Sequence, residues 1–166
     1  MRNFAWRATL ALAGAAALAA APARAELINA ADPEKIRTIV ESLGSPATLR
    51  AEPNADPYIE SNLDGMPFLV IFMNCTGGHD CRTLQYYMGF SDARQVPLER
   101  FNEWNREKRF ARAYRDESGD PVLEMDVDVD FSGLPRENIR ETLNTWASLM
   151  RAYREFIFAE RRSDAS

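Results

Sequence analysis

The chain has 166 residues, 46% of them hydrophobic, with 25 acidic against 20 basic residues, two cysteines and one histidine. That length suffices for one domain with its own core. The acidic balance, without a basic stripe interleaved with aromatics, argues against nucleic acid or anionic lipid as a partner.

Arg2 and Arg7 precede an apolar or Gly run from Ala8 to Ala21, and Ala23-Arg24-Ala25 has the small-x-small form that signal peptidase reads. We read residues 1–25 as a secretory signal peptide on the general export route, since no twin arginine is present. The run falls short of the roughly 18 residues that suggest a membrane span, although an uncleaved anchor is the alternative. Cleavage would leave 17 basic and 25 acidic residues, a net charge near −8, in a periplasmic or secreted protein without membrane insertion. The mature ends, residues 26–31 and a tail over 159–166, read as frayed.

Asp32-Pro33 sets an N-cap before proline at the first helical position, and Ile36, Ile39, Val40 and Leu43 share one face before Gly44. Residues 47–62, punctuated by Pro53 and Pro57, predict two short strands, and Asp64-Gly65 is a turn dipeptide. The strand that follows, Met66 to Cys75, is apolar on both faces, as suits a strand covered on both sides or lying at an interface. Arg82 to Phe90 alternates as a half-buried strand, and Pro97 to Lys108 predicts a helix with Leu98, Phe101 and Trp104 on one side. Two strands follow, Phe110 to Asp116 and Val122 to Phe131, the second with Leu123, Met125, Val127, Val129 and Phe131 opposite Glu124, Asp126, Asp128 and Asp130. A long helix from Arg136 to about Phe158 closes the chain. Short turns between consecutive strands require antiparallel pairing. The expected fold is α+β, a twisted antiparallel sheet with helices packed on one face.

Phe101-Asn102-x-Trp104-Asn105, then Phe110-Ala111-Arg112-Ala113-Tyr114-x-Asp116-x-x-Gly119, Leu123-x-x-Asp126 and the aromatic-rich last helix resemble the YbjN family, called bacterial sensory transduction regulators. The resemblance covers residues 32–158. It implies an α+β domain similar to type III secretion chaperones, which bind protein partners and have no known active site. Because its motifs are packing and turn residues, it speaks to fold more than to chemistry.

Both cysteines and the histidine fall in one stretch, Asn74 to Phe90. If Cys75 faces Cys81 across a hairpin, Phe72 meets Leu84, Val70 meets Tyr86, Phe68 meets Met88 and Met66 meets Phe90. All of these apolar residues then share one face, whereas a slip of one residue would set apolar against polar. A disulfide between Cys75 and Cys81 is therefore expected. A redox pair at this spacing lacks the usual Cys-x-x-Cys at a helix start. A metal site from Cys75, His79, Asp80 and Cys81 would require reduced thiols; otherwise His79 is a solvated loop residue.

The acidic side of the Val122 strand could offer oxygen ligands to calcium, but same-face neighbours on a strand lie nearly 7 Å apart, so a solvated sheet face is the simpler reading. Arg112 or Arg115 could pair with some of these carboxylates. No pair of groups suggests acid–base catalysis, and Gly77-Gly78 lacks the Lys of a phosphate loop. The last helix carries more aromatic bulk than one stripe needs, so Trp146, Met150, Tyr153 and Phe156, with Tyr87 from the alternating strand, are candidates for a protein contact, either a homodimer or a client groove. The expected function is a non-enzymatic, chaperone-like interaction or regulatory module without cofactor or metal, a small thiol- or metal-dependent envelope enzyme being the alternative.

Overall fold

The computed structural model describes residues 25–159; all but the last residue of the expected signal peptide and all but the first of the expected tail lie outside them. Strand β1 (Leu27–Ile28) leads to helix α1 (Pro33–Glu41), then β2 (Ala47–Arg50), β3 (Tyr58–Leu63), β4 (Met66–Met73) and β5 (Thr83–Gly89). Helix α2 (Leu98–Glu107), β6 (Arg112–Arg115), β7 (Pro121–Asp128), β8 (Leu134–Pro135) and α3 (Arg136–Ile157) complete the order. The fold is α+β.

Local chemistry explains the first elements. The Asp32 carboxylate accepts the Lys35 N–H at 3.3 Å and caps α1, with Pro33 in its first turn. Between β3 and β4, Asp64 and Gly65 both take positive φ, 54° and 77°, the paired left-handed geometry of a two-residue type I′ turn. Strands β1 and β8 pair in a separate two-stranded sheet, and the other six form an antiparallel sheet in the order β2-β3-β4-β5-β7-β6. In its centre Val70 pairs with Tyr86 and Phe72 with Leu84, the register that facing cysteines require.

One face of this sheet holds the core. Ile59, Phe68, Val70, Phe72, Leu84, Tyr86, Met88, Leu123 and Met125 form a single buried cluster with the inward residues of all three helices. Trp146 of α3 lies against Tyr86, with ring centroids 6.0 Å apart, and Trp104 of α2 meets Tyr153 edge-on at 5.0 Å. The Tyr86 hydroxyl bonds Thr142 Oγ1 at 2.8 Å, so the deepest phenol of the sheet is satisfied from α3.

Three expectations need correction. Residues 27–30 are not frayed: β1 pairs with β8, and Ile28 and Ala30 are fully buried in the core. A two-residue strand carries too little pattern to be read in the sequence, and its partner β8 is equally short. Phe131 does not continue the inward row of β7. The Asp128 and Asp130 carboxylates accept the backbone N–H groups of Asp130 (3.0 Å) and Phe131 (2.7 Å), which ends the strand in a turn and leaves Phe131 92% exposed at φ 57°. Phe110 likewise sits at φ 74° outside β6, which starts at Arg112.

The β1–β8 contact depends on Gly133. Its φ is 78°, and a Cβ there would overlap the Ile28 carbonyl and approach Asn29 N to 2.9 Å. Gly133→Ala should therefore destabilise the fold by about 1–3 kcal/mol and speed amide exchange over residues 27–31. Exchange unchanged from the parent chain would mean that β1 docks without this close approach.

Candidate functional site

The cysteine loop forms one tip of the sheet. Asn74 turns to φ 56°, the Arg82 N–H bonds Met73 O at 3.1 Å, and the β4–β5 ladder ends there. Beyond it the Cys75 and Cys81 sulfurs stand 2.06 Å apart, at bonding distance. Thr76 and His79 exchange backbone bonds of 2.7 and 3.3 Å around Gly77 and Gly78, a second two-residue turn. A Cβ on Gly78 would stand 2.7 Å from the Ala55 carbonyl oxygen, so glycine lets this tip close on the β2–β3 loop. His79 Nδ1 meets Asp80 Oδ2 at 2.8 Å, with both side chains about 70% exposed. Among the described residues no group of three or more His, Cys, Asp or Glu side chains is placed to hold a metal ion.

The last helix does not offer the surface expected of it. Trp146, Met150 and Tyr153 are fully buried, and the Tyr153 hydroxyl donates to Val122 O at 3.1 Å. Phe156 is half-buried, with its ring against Trp104 and the Arg100 guanidinium 3.7 Å above its centroid. The aromatic surplus is absorbed because α3 faces both the sheet and α2, so two sides of it need apolar cover. Of the five aromatic and methionine candidates, Tyr87 alone belongs to an uncovered surface.

That surface is the opposite face of the sheet. Its residues follow from the register: Tyr58, Ile71, Gln85 and Asp126 form one row across β3, β4, β5 and β7, and Glu60, Leu69, Tyr87, Glu124 and Arg112 form the next, ending on β6. None of them belongs to the core cluster that takes up the helices' buried side chains. Leu69, Ile71 and Tyr87 are half-buried by their neighbours alone, and Tyr58 and Met73 are each 36% exposed. An apolar stripe on β4 and its neighbours thus runs between charged flanks. On the β2 flank Arg50 Nε meets Glu60 Oε2 at 2.9 Å.

The other flank is built around Glu124, 5% exposed. Arg112 donates to its Oε2 from Nε (2.9 Å) and Nη2 (2.7 Å), and the Tyr114 hydroxyl donates to Oε1. A buried carboxylate is tolerated here because its charge is matched and both oxygens are bonded. Burial, then the Glu124 hydrogen bond, pushes the Tyr114 phenol well above its ordinary value of 10, and burial also raises Tyr87. Asp126 is bonded by Gln85 Nε2 at 3.0 Å, and Asp128 caps Asp130. The three acids of β7, and Asp130 in the turn after it, therefore have separate tasks and do not converge on a cation. Arg115, the other arginine considered for pairing, donates to Val96 O.

A concavity of about 590 Å³ lies elsewhere, at the C-terminal end of α3. Its lining includes Asp64 and Arg151, paired at 2.6 Å, and contains neither histidine nor cysteine. No nucleophile–base pair built on those residues can be assembled there.

A family model named YbjN, described as "Putative bacterial sensory transduction regulator", matches residues 32–159, well over half of the chain. The chain belongs to the YbjN family. No curated protein and no solved structure matches it. In this YbjN domain the shared motif residues do structural work that the geometry accounts for. Phe101 and Trp104 are core residues, and the Asp116 carboxylate accepts the Asp120 N–H at 2.8 Å to shape the β6–β7 turn. Asn105 acts as a substitute strand: its carboxamide donates to Ala113 O at 2.9 Å and accepts Ala113 N–H at 2.8 Å, which occupies backbone groups on the outer edge of β6. Asn105 stands in the family motif and Glu124 in the acidic row, but neither role is legible in the sequence, since an amide in a helix and one acid among four carry no sign of their partners.

Two predictions follow from these sites. The Cys75–Cys81 link closes a short loop, so loop-closure entropy assigns it about 2.4 kcal/mol. Cys75→Ala should lower the melting temperature in non-reducing buffer while leaving the far-ultraviolet spectrum intact; an unchanged melting point would remove the staple role. The tyrosines give a second. Tyr86, Tyr114 and Tyr153 are all held above their ordinary value of 10, burial being the first cause in each. Their contribution to stability is complete below about pH 10 and is lost as pH rises toward the folded-state values. The tyrosinate absorbance of these three phenols should therefore appear together with loss of secondary structure in alkali, and their independent ionisation in a folded chain would contradict their placement.

Proposed function

We propose that this YbjN-family chain is a non-enzymatic interaction or regulatory module of the periplasm, chaperone-like in binding a protein segment, and that the open sheet face is its working surface. The observation that carries the reading is the apolar stripe of Tyr58, Leu69, Ile71, Met73 and Tyr87 on a face that takes up none of the helices' buried side chains. Apolar side chains on both faces of a central strand are needed only where something covers the second face. The family description, a regulator of sensory transduction, is compatible with a module that acts by contact. Location outside the cytosol rests on the Arg2 to Ala25 pattern and is consistent with a cysteine pair at bonding distance. No specific observation favours the alternative of a thiol-dependent enzyme, whose two sulfurs are here joined to each other.

The test is capture from envelope extract on immobilised protein, comparing the parent chain with Ile71→Lys and Leu69→Ser, and with Arg140→Ser on the exposed side of α3 as a control. The expected result is a discrete partner retained by the parent and the control and lost from both face variants, each of which keeps the parent's far-ultraviolet spectrum and a cooperative melting transition. A partner that survives both face variants would move the working surface elsewhere.

A further inference from the structure

Charge and shape on the open face go further than the proposed function, on which this inference rests, and specify what the occupant is made of. The cations of the face are already committed: Arg50 to Glu60 and Arg112 to Glu124. Two carboxylates on the β7 flank, Asp126 and Asp128, have no ion pair among the described residues, and both are exposed. The face thus carries two negative charges outside its ion pairs beside the apolar stripe, Asp126 sharing only the field of an Arg112 already bonded to Glu124, on a chain of net charge −5.

We infer that the open face binds an amphipathic helix of a partner protein whose apolar side is flanked by Lys or Arg. Charge selects the flank. An occupant with basic residues along one side meets Asp126 and Asp128, whereas an acidic one is repelled. A second copy of this chain is disfavoured on the same count, because it would bring two more such carboxylates and only arginines that are already paired. Geometry selects the helix. The stripe along β4 from Pro67 to Met73 extends for about 20 Å by strand rise, which corresponds to about 14 residues of helix. Sheet faces are ordinarily covered by helices, as α3 covers the inner face here. Strand addition at the β6 edge is opposed by the Asn105 carboxamide on Ala113.

The experiment measures fluorescence anisotropy of two labelled peptides of about 14 residues, one an amphipathic Leu/Lys helix and the other its Leu/Glu counterpart, titrated with the intact protein. The Leu/Lys peptide should bind, and the Leu/Glu peptide should bind about tenfold more weakly or not at all. That preference should shrink with added salt and in an Asp126→Asn, Asp128→Asn double variant, and Ile71→Lys should abolish Leu/Lys binding. Equal affinity for the two peptides overturns the basic flank but leaves the docking face standing. Leu/Lys binding that is indifferent to Ile71→Lys overturns the inference and the choice of face together. Sedimentation showing a dimer that Ile71→Lys dissolves assigns the face to a second copy instead. Failure of both peptides overturns the helical occupant, and the extract capture described above then tests the docking function separately.

Discussion

Pairing Val70 with Tyr86 and Phe72 with Leu84 commits the two central strands to a common inner face, and the rest of the molecule is arranged around that commitment. Displacing the register by one residue would carry Phe68, Val70 and Phe72 outward, at about 1.5–3 kcal/mol for each large apolar side chain returned to water. The cysteine loop lies at the end of this hairpin and restrains the two strands where their ladder stops. With the centre set, β3 and β7 inherit their facing from β4 and β5, and β2 and β6 inherit theirs in turn. Helices α1, α2 and α3 bury their apolar sides on the inner face.

The outer face is a consequence of the same alternation. Every second residue of β4 and β5 points away from the helices, and on β4 those residues are Pro67, Leu69, Ile71 and Met73 rather than the polar side chains of an ordinary solvated sheet. Their exposure is contained by devices at the margins. Arg50 with Glu60 and Arg112 with Glu124 place ion pairs on the two sides of the stripe, and Asn105 occupies an edge that would otherwise be free to recruit a strand. Glu124 shows how much is invested in one flank: its carboxylate is buried, and Arg112 and Tyr114 together satisfy both oxygens. An apolar face held open between ion pairs, with one edge blocked, suits reversible contact better than uncontrolled association.

How far the sequence could be read differs from element to element. α1 was visible because Asp32, Pro33 and the Ile36-Ile39-Val40 spacing are local signals. The β4–β5 register was visible because cysteine spacing and apolar alternation independently select it. β1 and β8 were not, since two residues have no period and Ile28 is held by distant contacts that include the backbone beside Gly133. Phe131 was misplaced because alternation continues in the letters after the Asp128 and Asp130 side chains have turned the chain. The aromatic excess of α3 resembled an interface because periodicity counts how many sides of a helix are apolar and does not say how many elements it meets.

The sequence by itself determined the class of fold, the central register and the presence of a strand apolar on both sides, because each of these is written in spacing between near neighbours, and its motifs carried the family likeness. Tertiary structure alone decided which surplus was buried and which was left open. Residues 146–156 of the last helix and 67–73 of β4 are both rich in apolar side chains, and α2 stands beside only the first. Burial is a relation between elements distant in the chain, so it depends on strand order and helix placement, which no local pattern contains.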